Sequence, residues 1–172
     1  MIDAIDRKTP RFPANKENAA KQAIRSSLEK EKQRYQSQIT GIAGGASGGD
    51  ILFHELCAEM AISSVVYLAL PNEEYKKTSV SVAGKEWENR FDHLTANHAV
   101  HILQESSSAD NTIWERTNLW MLEEALEGGG NNLTLIALWD GKKGDGNGGT
   151  EHMVQVAKKS GANTVVIDIT GL

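Results

Sequence analysis

Residues 41–60 read GIAGGASGGDILFHELCAEM, five glycines in nine residues followed at once by an apolar stretch with helical spacing. Leu52, Phe53, Leu56, Cys57 and Met60 fall on one face of that stretch, so a helix is expected from about Gly49. Ahead of it, QITGIAG carries β-branched residues and ends in glycines, which reads as a strand over residues 38–43 stopping at a sharp turn. Glycine also lets main-chain N–H groups approach a ligand closely, so the turn is a candidate binding loop as well as a bend.

The same alternation recurs outward from this point. Upstream, Ala20, Ile24 and Leu28 are spaced by four within a segment rich in Ala, Lys, Glu and Gln, predicting an amphipathic surface helix from Pro13 to about Tyr35. Downstream, VVYLAL (65–70) and LTLIALW (133–139) are continuous apolar runs, as strands buried on both faces require. Between them the pattern loosens through NEEYKKTSVSVAGKE. Trp87, Phe91 and Leu94 then suggest a helix, and residues 99–103 a short strand.

Residues 113–126 read as a helix stopped by Gly128 to Gly130; Met153, Val156 and Ala157 mark another that ends at Gly161, before the last strand, TVVIDI (164–169). Strands alternating with helices predict a Rossmann-like three-layer α/β/α sandwich with a mainly parallel sheet. The 172 residues, 40% of them hydrophobic, suit a single domain.

Bulk composition narrows the partners. A net charge of −5 offers no general attraction to nucleic acid. The single cysteine, Cys57, has no partner for an intramolecular disulfide, which fits a cytoplasmic setting, and no run approaches the ~18 apolar residues of a membrane span.

In an open parallel sheet the strand-to-helix loops leave from the carboxyl edge, where ligands collect. Two glycine-rich loops are of this kind, residues 44–50 and 140–151. The first departs from the Walker pattern, because Asp50 and Ile51 stand where Lys and Ser or Thr belong, and from GxGxxG in its spacing. In the second, Asp145, Asn147 and Glu151 lack the EF-hand spacing, with Gly149 and Thr150 at the wrong positions. His93, His98 and His101 match no zinc motif, no metal or other cofactor is expected, and the letters around Ser47 match a nucleophile elbow only through glycine density.

AGGASGGDILFHELCAE followed by VVYLALP resembles the glycine-rich helix start and following strand of the cytokinin-activating "Lonely guy" family, and also the SGxAxGID helix of the Smf DNA-processing family. ERTNLWM (115–121) is similar to the RKxxM helix of the former, and IALWDG with GNGGTEHM to its strand and PGGxGTxxE loop. The chain from about residue 40 thereby resembles the SLOG superfamily, which unites these families with sensors of nucleotide derivatives.

That resemblance implies a phosphorylated nucleotide as ligand, held by Gly44, Gly45, Ser47, Gly48 and Gly49, by Gly148, Gly149 and Thr150, and by Arg116, with Asp50 and Asp140 accepting from ribose hydroxyls. It also implies an alternative, a nucleotide N-glycosidase with Glu151 and Arg116 as catalytic residues. In that family, however, glutamates fall two and three positions after the threonine, where this chain has His152 and Met153. A protein-interaction scaffold without a small ligand is the third reading.

The superfamily opens with a strand, whereas this chain opens with MIDAIDRKTPRFP. The expectation is therefore a sheet without its first strand, or a domain from a longer protein with a fused effector or a homo-oligomeric arrangement. If the opening segment lies on the carboxyl edge, Arg7, Lys8 and Arg11 are the cations nearest the first loop.

Overall fold

The computed structural model describes residues 1–4, 7–36, 38–104, 112–142 and 149–172. The elements run α1 (Glu17–Tyr35), β1 (Thr40–Ala43), α2 (Gly49–Glu59), β2 (Ser63–Leu68), α3 (Asn72–Ser79), α4 (Lys85–Asn97), β3 (Ala99–Ile102), α5 (Ile113–Ala125), β4 (Thr134–Trp139), α6 (Thr150–Lys159) and β5 (Asn163–Asp168), with short 3-10 turns between some of them. Among the described residues all strand pairing is parallel: β1 with β2 from Thr40↔Ser63, β2 with β3 from Val65↔Ala99, and β4 with β5 from Thr134↔Asn163.

Helices cover both faces. His54 of α2 bonds Ser64 of β2, while Trp120 of α5 packs edge-on against Tyr67 of the same strand, 4.6 Å between ring centroids. Ser64 and Tyr67 are three residues apart, hence on opposite faces of the strand, which sets α2 and α5 on opposite sides of the sheet. In β4, Thr134 donates to Glu31 of α1, and Ile136 and Leu138, with the same parity, join the core beneath α1 and α2. Ala137, of opposite parity, is left for the α6 side. The chain is a mixed α/β protein whose parallel sheets are flanked by helices, the arrangement of a Rossmann-like sandwich.

Two features differ from expectation. The hydrogen-bonded ladder is in two parts, β1–β2–β3 and β4–β5. β1 is only four residues long, and side-chain packing rather than a ladder joins the parts: Leu138 meets the start of α2 and shares a core with Ile51, Leu52 and Leu56. Secondly, the loosened stretch after Pro71 is helical. α3 carries Glu73 and Glu74 in its first turn and Lys76 and Lys77 in its last, charges that complement the helix dipole. Its apolar stripe is thin, with Tyr75 and Ser79 as its buried residues, so hydrophobic periodicity gave little signal.

Among the described residues no strand precedes Thr40, and no helix is long and apolar enough to cross a membrane.

Candidate functional site

β1 ends at Ala43 and α2 begins at Gly49, so five residues must turn the chain from the sheet onto its face. Two of their glycines are required by close approach. A Cβ at Gly44 would stand 2.6 Å from the Asp50 carboxylate, and one at Gly45 2.9 Å from the Phe91 ring. Gly48 adopts φ +105°, a conformation strained for any residue with a Cβ.

The amides of Gly45, Ala46 and Ser47 in this loop are engaged by the protein. Gly45 N–H donates to Tyr75 Oη at 3.3 Å, and Ala46 N–H to Asp50 Oδ2 at 3.2 Å. Both the N–H and the Oγ of Ser47 donate to the Ser79 carbonyl, at 3.0 and 3.2 Å, and Ser47 is completely buried. Tyr75 and Ser79, on the helix that periodicity missed, therefore supply two of the loop's three acceptors. Burial pushes the Asp50 carboxyl above the usual carboxylate range. The amides of Gly45 and Ser47 thus serve the fold, and the Asp50 side chain is occupied as an acceptor within its own loop.

At the end of β4, Asp140 receives Arg11: Nε at 2.8 Å on one oxygen and Nη2 at 3.1 Å on the other, with the Lys142 N–H adding a third bond at 3.1 Å. The Arg11 guanidinium holds the Asp140 carboxyl below its ordinary range. Both carboxylate oxygens being taken, Asp140 acts here as the anchor of the N-terminal segment rather than as an open acceptor for ribose. Arg11 does lie beside the first loop, since its neighbour Phe12 packs on Gly48.

The second loop includes Gly148, Asp145 and Asn147, which lie outside the described residues. From Gly149 onward, Thr150 opens α6, and Glu151 in its first turn accepts from Gln155 Nε2 at 3.4 Å. His152 Nδ1 comes within 3.9 Å of Glu115 Oε1 on α5. That helix is capped by Thr112, whose side chain accepts the Glu115 N–H at 3.2 Å. The first turns of α5 and α6 consequently meet, and Arg116, half-buried, follows Glu115 on the former.

A Cβ at Gly49 would lie 3.7 Å from Leu138, so the start of α2 packs beside the end of β4, the strand from which the second glycine-rich stretch departs. By helix geometry the leading amides of α2 at residues 49–51 and of α6 at residues 150–152 have no carbonyl of their own helix to bond. Among the described residues these amides, unlike those of Gly45 and Ser47, are main-chain donors with no acceptor in their own helix.

The histidines are dispersed. His54 is wholly buried between Ser64 Oγ (2.9 Å) and the Gly44 carbonyl (3.1 Å), and burial, with His98 nearby, lowers its pKa to about 4. His93 contacts Asn97, whereas His101 lines a shallow cleft of about 400 Å³ with Ile102, Leu103, Gln104 and Trp120. Trp114, at the other end of α5, meets the Tyr75 ring edge-on at 5.7 Å.

No known family model matches this chain, and no curated protein matches it.

Proposed function

We propose that the carboxyl edge binds a phosphorylated nucleotide derivative and that the chain is a sensing domain of the SLOG kind. The observation carrying this reading is the meeting of α5 and α6 at their first turns, with the start of α2 packed against the adjacent strand end. Phosphate oxygens would bond Gly149, Thr150 and the following amides of α6, with charge from Arg116 and further amides at Gly49 and Asp50; Gly148 belongs to the same loop. A helix N-terminus favours an anion by ~0.3–1 kcal/mol through its dipole, and hydrogen bonds to a charged group contribute ~1.5–3 kcal/mol each, so a few such bonds dominate.

Thermal unfolding of the full chain against a panel of nucleoside mono-, di- and triphosphates tests the proposal. A ligand at 100 times its dissociation constant adds about 2.7 kcal/mol, and Arg116→Ala is expected to remove most of that stabilisation. A panel without any shift would sink the reading and leave the interaction scaffold. Release of free base from a nucleoside monophosphate, abolished by Glu151→Gln, would move it to the N-glycosidase, in which Glu151 protonates the departing base.

A further inference from the structure

Among the described residues β3 is the end strand of its ladder, and the face it turns towards α5 carries a group of aromatic rings. Tyr67 and His101 are register partners on β2 and β3, so their rings stand side by side at 4.9 Å, with Trp120 edge-on to Tyr67. Packing accounts for Tyr67, which is 4% exposed, whereas His101 is exposed and Trp120 half-buried. These last two rings, 6.2 Å apart, line the cleft of about 400 Å³ together with Ile102, Leu103 and Gln104. The cleft lies at the carboxyl end of β3, where Leu103 N–H donates to the Leu68 carbonyl at 2.9 Å. Strand alternation then turns the main chain of Ile102 the other way, so its N–H and C=O point to the outer side of the ladder. The Gln104 amide adds donors and an acceptor. Trp120 Nε1 already donates to Glu124 Oε1 at 3.1 Å, which leaves the indole to offer its face.

Charge is graded along α5. Arg116 and Trp120 are one turn apart on one side of the helix, whereas Glu123 and Glu124 follow Trp120 and Glu127 lies just past the helix end. Burial first, then Glu124 and Glu127, push the Tyr67 phenol above its ordinary range, so the field of these acids reaches the aromatic group. An anion is disfavoured at this end and favoured at the other. A ligand with a flat, uncharged, amine-bearing end and an anionic end matches that gradient. We infer that the cleft is a base subsite: a nucleobase with an exocyclic amine stacks on Trp120 and His101, its polar edge bonded by Gln104 and the outer main chain of Ile102 and its amine turned towards Glu124. A ribose then spans the turn of about 5.4 Å back to Arg116. The inference deepens the nucleotide reading above and rests on it for the ribose and phosphate; recognition of the base stands on the cleft alone.

Proton–nitrogen correlation NMR of the full chain, titrated with adenosine, cytidine, guanosine and uridine, tests base recognition without phosphate. The expected result is saturable movement of the Trp120 indole N–H and the Ile102 amide, with uridine, which lacks an exocyclic amine, binding more weakly than cytidine. His101→Ala changes an exposed side chain and is expected to weaken adenosine roughly tenfold, while His101→Tyr restores a stacking face and returns the affinity to within about twofold of the parent. Four nucleosides that leave both signals in place would overturn the inference. So would an unchanged adenosine affinity in His101→Ala, or uridine binding as tightly as cytidine. Ribose 5-phosphate, titrated in parallel, reports on the phosphate reading alone. Its failure beside adenosine binding strikes that reading and leaves the base subsite; the reverse pattern strikes the subsite and leaves the phosphate site.

Discussion

The hydroxyl of Tyr75 accepts the amide hydrogen of Gly45 at 3.3 Å inside the protein, tying the first glycine loop to α3. Tyr75→Phe keeps the ring stacked on Phe91, 5.9 Å away and 10° from parallel, but leaves a buried N–H without its acceptor. The expected loss is about 1–3 kcal/mol in urea unfolding, with an unchanged denaturant slope. A loss near zero would mean that the bond contributes nothing.

Gly48 and Gly129 provide a matched pair. Both have positive φ, +105° and +85°, but a Cβ at Gly129 meets nothing within 4 Å, whereas one at Gly48 runs into Ile2 and Phe12. Gly129→Ala is expected to cost roughly 1–3 kcal/mol from backbone strain alone. Gly48→Ala should cost more, since strain and collision add. Equal losses in parallel denaturation curves would show that the N-terminal segment yields freely.

His54 makes stability pH-dependent in a defined direction. Its pKa falls from 6.5 to about 4 on folding, so the unfolded chain binds a proton that the folded one refuses. The stabilisation of the neutral form is complete above the unfolded pKa, and it is lost as pH drops from about 6.5 towards 4. Its size is at most about 3 kcal/mol, the free-energy equivalent of that shift. Unfolding free energies measured between pH 4 and 7 should show this slope in the parent and a shallower one in a folded His54→Gln variant.

Cys57 is buried beneath β1, and desolvation pushes its thiol up to about 12. Because the thiolate is the reactive form, the native protein at pH 8 is expected to resist iodoacetamide and to take up one equivalent once unfolded in urea. Rapid modification of the folded chain would contradict the burial.

Continuous apolar runs made β2 and β4 legible, because strands covered on both faces show no polar alternation; the observed Thr134–Trp139 falls within the expected 133–139, while Ser63–Leu68 begins and ends two residues before the expected 65–70. Helix α1 was legible from the four-residue spacing of Ala20, Ile24 and Leu28, and α5 and α6 from the glycines that stop them. α3 was not, since its buried face is little more than Tyr75 and Ser79, though Pro71 and the order of its charges marked it. The candidate site divides similarly. Strand-helix order singled out the two glycine-rich stretches, of which residues 143–148 lie outside the described residues, but glycine spacing is silent on where an amide's hydrogen goes. Tyr75, Ser79 and Asp50 had already claimed three of them.

Sequence alone thus determined the alternation of strands and helices, because periodicity and glycine punctuation are local properties of a chain. Only tertiary structure decided that the ladder divides between β1 and β4, that Arg11 spends its charge on Asp140, and that the opening segment lies across Gly48. Those outcomes are competitions among groups distant in the chain for the same carboxylate, carbonyl or patch of surface. Distance and burial settle such competitions, and neither is written in the order of the residues.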